Sequence, residues 1–140
     1  MKSKRGILFL LVLLLVVVVL SGCAGPVKRM EVVTPDRVPS RPESGKSMVV
    51  FMRPSGFGFG IQSSVFEVKD KQPLLAGIVA AKKKVAYQLD PGEHLFMVVG
   101  ESADFMSADL EADRTYYALV TPRMGVWKAR FSLRPVHADM

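Results

Sequence analysis

From Ser47 onward, apolar and polar positions alternate with a period of two in short runs cut by turn residues, and no helical period is sustained. Ser47 to Arg53 (SMVVFMR) is apolar on both faces, as a central strand would be, and Pro54 stops it. Ile61 to Lys69 is a second strand. Leu74 to Ala81 is a third, favoured over a short helix because Gly77 and the β-branched pair Ile78-Val79 weaken a helix. Val85, Tyr87 and Leu89 then oppose Lys84, Ala86 and Gln88. Asp90-Pro91-Gly92-Glu93 fits a type II turn, with proline presetting φ and glycine accepting a positive one, and this predicts a hairpin into His94 to Gly100. Met106, Ala108 and Leu110 oppose Ser107, Asp109 and Glu111, and Thr115 to Thr121 (TYYALVT) is rich in β-formers. The cleanest alternation is the last, Val126 to Arg134. It sets Trp127, Ala129, Phe131 and Leu133 against Lys128, Arg130, Ser132 and Arg134, and predicts that the first set faces the core. On that expectation Trp127→Ala costs about 3–5 kcal/mol. Some eight strands without helical crossovers imply antiparallel hairpins in an all-β sandwich or small barrel.

The first half of the N-terminal third follows a different pattern. Lys2, Lys4 and Arg5 precede an unbroken apolar run of 14 residues, Ile7 to Leu20, which matches the charged and apolar regions of a secretory signal. The run is short for a membrane span, which needs about 20 apolar residues. It ends in Leu20-Ser21-Gly22-Cys23, small side chains of the kind a peptidase needs before the scissile bond, and Cys23 is the only cysteine of the chain. This stretch resembles the lipobox of bacterial lipoproteins. Residues 1–22 are then a signal that is removed, and Cys23 becomes a first residue whose thiol carries a diacylglyceryl group and whose amine carries an acyl chain. Two or more chains hold a protein firmly to a bilayer where one holds only marginally. A lone cysteine also excludes an internal disulfide, so the domain must stand on its core. Ala24 is not the aspartate that resembles an inner-membrane retention signal, so the outer membrane, facing the periplasm, is the expected location.

Between them, residues 23–45 carry Gly25, Pro26, Pro35, Pro39, Ser40, Pro42, Ser44 and Gly45 among charges, the composition of a partly extended linker. Val27, Met30, Val32 and Val33 leave room there for a short edge strand. The organisation is therefore a signal at 1–22, a lipidated linker at 23–45, a β-domain at 46–136 and a tail at 137–140. Composition changes meaning once the signal is removed. The formal charge of +6, with 19 basic and 13 acidic residues, falls to about +3 without Lys2, Lys4 and Arg5. Compartment and the lack of a basic helix or RNA-binding signature argue against nucleic acid.

The lipobox, the β run ending in Arg53-Pro54, the turn Asp90-Pro91-Gly92-Glu93-His94 and the pair Tyr116-Tyr117 together resemble the bacterial lipoprotein family called domain of unknown function 2846. The resemblance covers about Ser47 to Val136. It implies a small antiparallel β-sandwich of seven or eight strands, similar to transthyretin-like, immunoglobulin-like or carboxypeptidase-regulatory folds, on an envelope lipoprotein without established activity. Members often carry a further stretch after the last strand, so a short form or truncated C-terminus is expected here.

Chemistry-bearing groups are sparse. Gly56-Phe57-Gly58-Phe59-Gly60 lacks the Lys-Ser/Thr and helix of a phosphate cradle. It reads first as a flexible hairpin loop, with Phe57 and Phe59 as a contact surface for a partner or a lipid interface. Lys82, Lys83 and Lys84 form a basic loop suited to anionic headgroups or a wall polymer, or simply to water. Lys128, Arg130 and Arg134 are expected on the outer face of one strand, as edge protection or partners of Asp109 and Glu111, or as a binding face. His94 and His137 make no triad with a nucleophile and an orienting acid, and no ligand-spaced cluster suggests a metal or other cofactor. The expected function is a non-enzymatic, lipid-anchored domain presenting a surface to an envelope protein. The alternatives are a module for peptidoglycan or another cell-wall glycan, or for a small apolar ligand, stacking on Tyr116, Tyr117 or Phe57, and more remotely a hydrolase dependent on His94. Cys23→Ala should abolish incorporation of radioactive fatty acid and accumulate precursor; label that persists on the variant would remove the lipidation reading.

Overall fold

The structure, a computed structural model, describes residues 39–136; the Leu20-Ser21-Gly22-Cys23 lipobox, most of the linker and His137 lie outside the described residues. Within them the fold is all-β, with β1 (Ser47–Arg53), β2 (Ser63–Lys69), β3 (Gln72–Val79), β4 (Lys83–Leu89), β5 (Gly92–Val99), β6 (Ala103–Leu110), β7 (Thr115–Arg123) and β8 (Arg130–Pro135). They form two four-stranded sheets, β4-β1-β7-β8 and β3-β2-β5-β6, packed as a sandwich.

The apolar β1 is central, between antiparallel β4 and parallel β7. Residues of both its faces, Val49 and Phe51 inward and Met48 and Val50 outward, are buried. The β1–β7 pair departs from the purely antiparallel expectation, because the chain visits the second sheet before returning. Sequential pairing holds for β2–β3, β5–β6 and β7–β8. It fails at β4–β5: the Asp90-Pro91 turn joins strands of different sheets and makes no hairpin. Gly92 does take a positive φ, 127°, but already as the first residue of β5. The glycine-rich segment after β1 also crosses between sheets and is not a hairpin loop.

Between the sheets, Val49, Phe51, Ala118, Val120, Phe131 and Leu133 meet Val65, Val79, Phe96, Val98, Met106 and Leu110. The Phe51 and Phe96 rings meet edge to face, with centroids 5.3 Å apart, an arrangement that adds to the area they bury. Gly77 lets β3 close onto β4, since a Cβ there would lie 2.7 Å from a Val85 methyl.

Strand directions sort the connections onto two poles. Segments 54–62, 80–82, 100–102 and 124–129 lie at one, the loop pole. Residues 39–46, the turns at 70–71, 90–91 and 111–114, and the departing chain at Val136 lie at the other, the terminal pole. The last linker residues are docked there: the N–H groups of Glu43 and Gly45 donate to the Gln88 side chain and the Asp113 carboxylate, and Lys46 pairs with Asp90 at 2.6 Å.

Phe131 and Leu133 face the core as their alternation requires, but Trp127 does not. Pairing of β7 with β8 ends at Arg123–Arg130, so residues 124–129 form a loop, and Trp127 is 90% exposed. Alternation carries no information about where a strand begins, and here it ran past the true start. Accordingly Phe96→Ala should cost about 3–5 kcal/mol in urea unfolding, whereas Trp127→Ala should change stability by no more than about 0.5 kcal/mol. Equal losses for both variants would contradict this placement.

Candidate interaction surfaces

The loop pole is organised by two polar clamps. Arg53, the last residue of β1, is fully buried, and no carboxylate pairs with it among the described residues. Its guanidinium donates to the carbonyl oxygens of Ile61 at 2.5 Å and of Phe57 and Gly58 at 2.8 Å each, and it lies over the Phe131 ring, 5.4 Å from the centroid. Burial lowers its pKa, which for arginine still leaves the charge in place at neutral pH. The 54–62 segment must therefore wrap around a charge that needs acceptors. Gly58 allows this through its φ of 64°, with the guanidinium only 3.2 Å from where a Cβ would sit.

Glu101, in the β5–β6 turn, clamps the second loop. Its Oε2 accepts the backbone N–H groups of Trp127 at 2.7 Å and Lys128 at 3.1 Å, while Oε1 accepts Arg130 Nη2 at 2.6 Å and Nε at 3.0 Å. Those two N–H groups, more than the Arg130 guanidinium, pull its pKa from 4.5 down to about 2. Gly125 permits the fold of this loop, because a Cβ there would fall 1.8 Å from the Lys128 carbonyl oxygen.

What the clamps hold outward is apolar. Phe57, Phe59 and Ile61 on one loop and Met124, Val126 and Trp127 on the other are all exposed, and between the loops lies a cleft of about 340 Å³ floored by Arg53 and Pro122. Lys82, Lys83, Arg123 and Lys128 are exposed at this pole and carry no ion pair among the described residues.

A second apolar surface is the outer face of the β3-β2-β5-β6 sheet. Leu75, Phe66, Met97 and Phe105 are register partners and form one row across all four strands. Pro73, Val68 and Leu95 continue the face toward the terminal pole, and Ile78 and Val99 toward the loop pole. Phe105 is 54% exposed, and Leu75 and Val99 are exposed as well. The outward face of an antiparallel sheet is ordinarily polar.

Sequence-predicted residues divide between these surfaces. Phe57 and Phe59 are exposed as a contact loop requires. Of the expected basic loop only Lys82 lies in the turn, with a φ of 58°; Lys83 and Lys84 open β4. Arg130 and Arg134 lie outward on β8, opposite core-facing Phe131 and Leu133, but Lys128 sits in the 124–129 loop, and the ion pairs are Arg130 with Glu101 and Arg114 with Glu111. Tyr116 packs against the core and its hydroxyl accepts the Glu111 N–H, whereas Tyr117 is exposed on the outer face of its sheet, so with Phe57 at the loop pole these three rings form no common platform. A cleft of about 660 Å³ does open beside Tyr116, between β6 and β7. Glu101 and the row Leu75, Phe66, Met97 and Phe105 were not singled out in the sequence, and Arg53 stood out only as the end of the β1 run; the apolar residues on both sides of β5 were the one signal of the row.

His94 joins a buried network. Glu67, 7% exposed, accepts the Tyr87 hydroxyl at 2.7 Å and contacts His94 Nδ1 at 2.8 Å, while His94 Nε2 lies 2.9 Å from the Asp90 carbonyl. Desolvation, then the Glu67 hydrogen bond, pushes the Tyr87 pKa up to about 12. The carbonyl only accepts, so His94 Nε2 donates to it, and both ring nitrogens are engaged within the network. The network joins the two sheets across their edge. No group of three or more His, Cys, Asp or Glu positioned to hold a metal occurs among the described residues. None of their helices is long and apolar enough to cross a membrane.

No family model matches the chain. No curated protein and no solved structure matches it either.

The Glu101 clamp is acid-sensitive in a defined direction. A carboxylate whose folded pKa is depressed contributes stability above its unfolded pKa and loses it as pH falls through the folded one. The order of the 124–129 loop should therefore decline between pH 4.5 and about 2. Trp127, the only tryptophan, makes this visible as a fall in fluorescence anisotropy. Glu101→Gln should show low anisotropy already at neutral pH, without the acid transition; a transition retained in that variant would assign it to another group.

Proposed function

We propose that the chain is a lipid-anchored bacterial envelope protein, held at the outer membrane and facing the periplasm, whose β-sandwich has no catalytic role and docks another envelope protein. The observation that carries the docking role is the row Leu75–Phe66–Met97–Phe105 on an uncovered sheet face. Contiguous apolar surface of this kind on a soluble domain marks an interaction site. Its charge selects the occupant. The outward positions of the four strands include no cation, and their two carboxylates, Glu93 and Asp109, stand side by side at the terminal-pole end. Anionic lipid or an anionic wall polymer is thus disfavoured, and the apolar face of a protein suits it. The lipobox at Leu20 to Cys23, the proline-rich linker and the resemblance to domain of unknown function 2846 lipoproteins support the anchor and the compartment. A second reading, a small apolar ligand beside Tyr116, draws on the 660 Å³ cleft, whose size suits such a molecule.

Photocrosslinking residues introduced at Met97 and Phe105 in living cells test the docking role, with exposed Thr121 on the opposite sheet as control. The expected result is one discrete protein adduct from both sheet positions, none from Thr121, and loss of the Met97 adduct on Phe105→Glu, which should weaken docking by about 2 kcal/mol or more. No adduct, or adducts only with lipid or with a second copy of the chain, would overturn it.

A further inference from the structure

The loop pole has chemistry that the outer sheet face lacks. Phe57, Phe59, Ile61, Met124, Val126 and Trp127 project from two loops. The polar groups that fix those loops bond their backbone: buried Arg53 donates to three carbonyls of the first loop, and partly buried Glu101 accepts two N–H groups of the second. The apolar tips are therefore held in place, and they do not wander in search of a core.

Charge separates the two poles. At the loop pole Lys82, Lys83, Arg123 and Lys128 rim the apolar tips, and the carboxylate of the connecting segments, Glu101, is neutralised by Arg130 and backbone N–H groups. At the terminal pole, Glu43, Asp70, Asp90, Glu111 and Asp113 stand against Arg41, Lys46, Lys71 and Arg114, so cations no longer prevail. Aromatic and aliphatic tips within a ring of cations that carry no ion pair among the described residues complement one kind of surface, a hydrocarbon layer beneath anionic headgroups. Tryptophan suits the boundary between the two, with an apolar ring and one N–H donor.

We propose that the loop pole enters the interface of an anionic lipid bilayer, with the two apolar loops seated below the headgroups and the four cations on the phosphates. The inference rests on the proposed anchor only for delivery to a membrane. Reach is sufficient: residues 24–38, at about 3.1 Å each, span up to roughly 45 Å, while the seven residues of β1 at about 3.3 Å span roughly 23 Å. The chain enters the sandwich at the pole opposite the loops, so a loop pole seated in the bilayer sets the strands upright on it. The outer face of the β3-β2-β5-β6 sheet is then turned sideways, free for a protein partner.

Trp127 reports seating directly, because it is the only tryptophan and lies at the tip. The full lipidated chain is reconstituted into vesicles of phosphatidylethanolamine and phosphatidylglycerol carrying brominated acyl chains, and in parallel into brominated phosphatidylcholine. Bromine should quench and blue-shift Trp127 in the anionic vesicles and much less in phosphatidylcholine. Replacing Arg123 and Lys128 by glutamine should lower the seated-to-unseated ratio by about fivefold per cation. Phe59→Ser with Val126→Ser should reduce quenching at unchanged melting temperature, since both side chains are exposed. Protein that floats with anionic vesicles while Trp127 keeps its aqueous emission overturns the inference and leaves the anchor standing. Protein that does not float removes the anchor, and quenching on adding preformed anionic brominated vesicles then still decides the pole. Equal quenching in both lipids overturns the role of charge, and a tip shielded only on adding envelope proteins assigns the pole to a protein.

Discussion

A guanidinium buried at the end of the central strand is the constraint on which the loop pole depends. Arg53 ends β1 where the sheets would otherwise close over apolar side chains, and its charge cannot stay there without acceptors. The acceptors are main-chain carbonyls of the very segment that follows it, so satisfying the charge and shaping the 54–62 loop are one event. Phe131, under the guanidinium, ties the same residue to β8 and hence to the neighbouring 124–129 loop. Glu101 repeats the arrangement with opposite sign, a carboxylate that gathers N–H groups from that second loop.

The two clamps turn the usual relation between burial and polarity inside out. Polar groups are drawn in to hold main chain, and apolar side chains are left in solvent at the tips. Two loops that expose a tryptophan and two phenylalanines would ordinarily collapse onto the nearest hydrophobic surface; here their main chain is already committed. At the opposite pole, Lys46–Asp90 and the hydrogen bonds to Gln88 and Asp113 fasten the incoming chain. The domain thus has a fastened end, an exposed end and one apolar side, and the proposed anchor, bilayer contact and protein docking occupy these separately.

Strand identity was legible in the sequence wherever a run of alternation was bounded by proline, glycine or a charged turn. β1 was legible as central because both its faces are apolar, and Phe131 and Leu133 were legible as core. Trp127 was misread because the loop preceding β8 keeps the strand's rhythm by coincidence, and rhythm does not reveal hydrogen-bond partners. The β4–β5 connection was misread because a Pro-Gly turn looks the same whether it returns a strand to its neighbour or carries it to the other sheet. That choice depends on which strands are free to pair, a property of the whole sandwich.

The sequence by itself determined the class of fold, the strand-forming segments and an N-terminal pattern that resembles a lipoprotein signal, because each is written in local spacing, composition or a short contiguous motif. Tertiary structure alone decided which residues share a surface. Phe57 and Trp127 are 70 positions apart and belong to one pole because two sheets close over a common core. Leu75, Phe66, Met97 and Phe105 come from four strands and form a row only through register. Register and sheet closure follow from long-range hydrogen bonding, to which local spacing is blind.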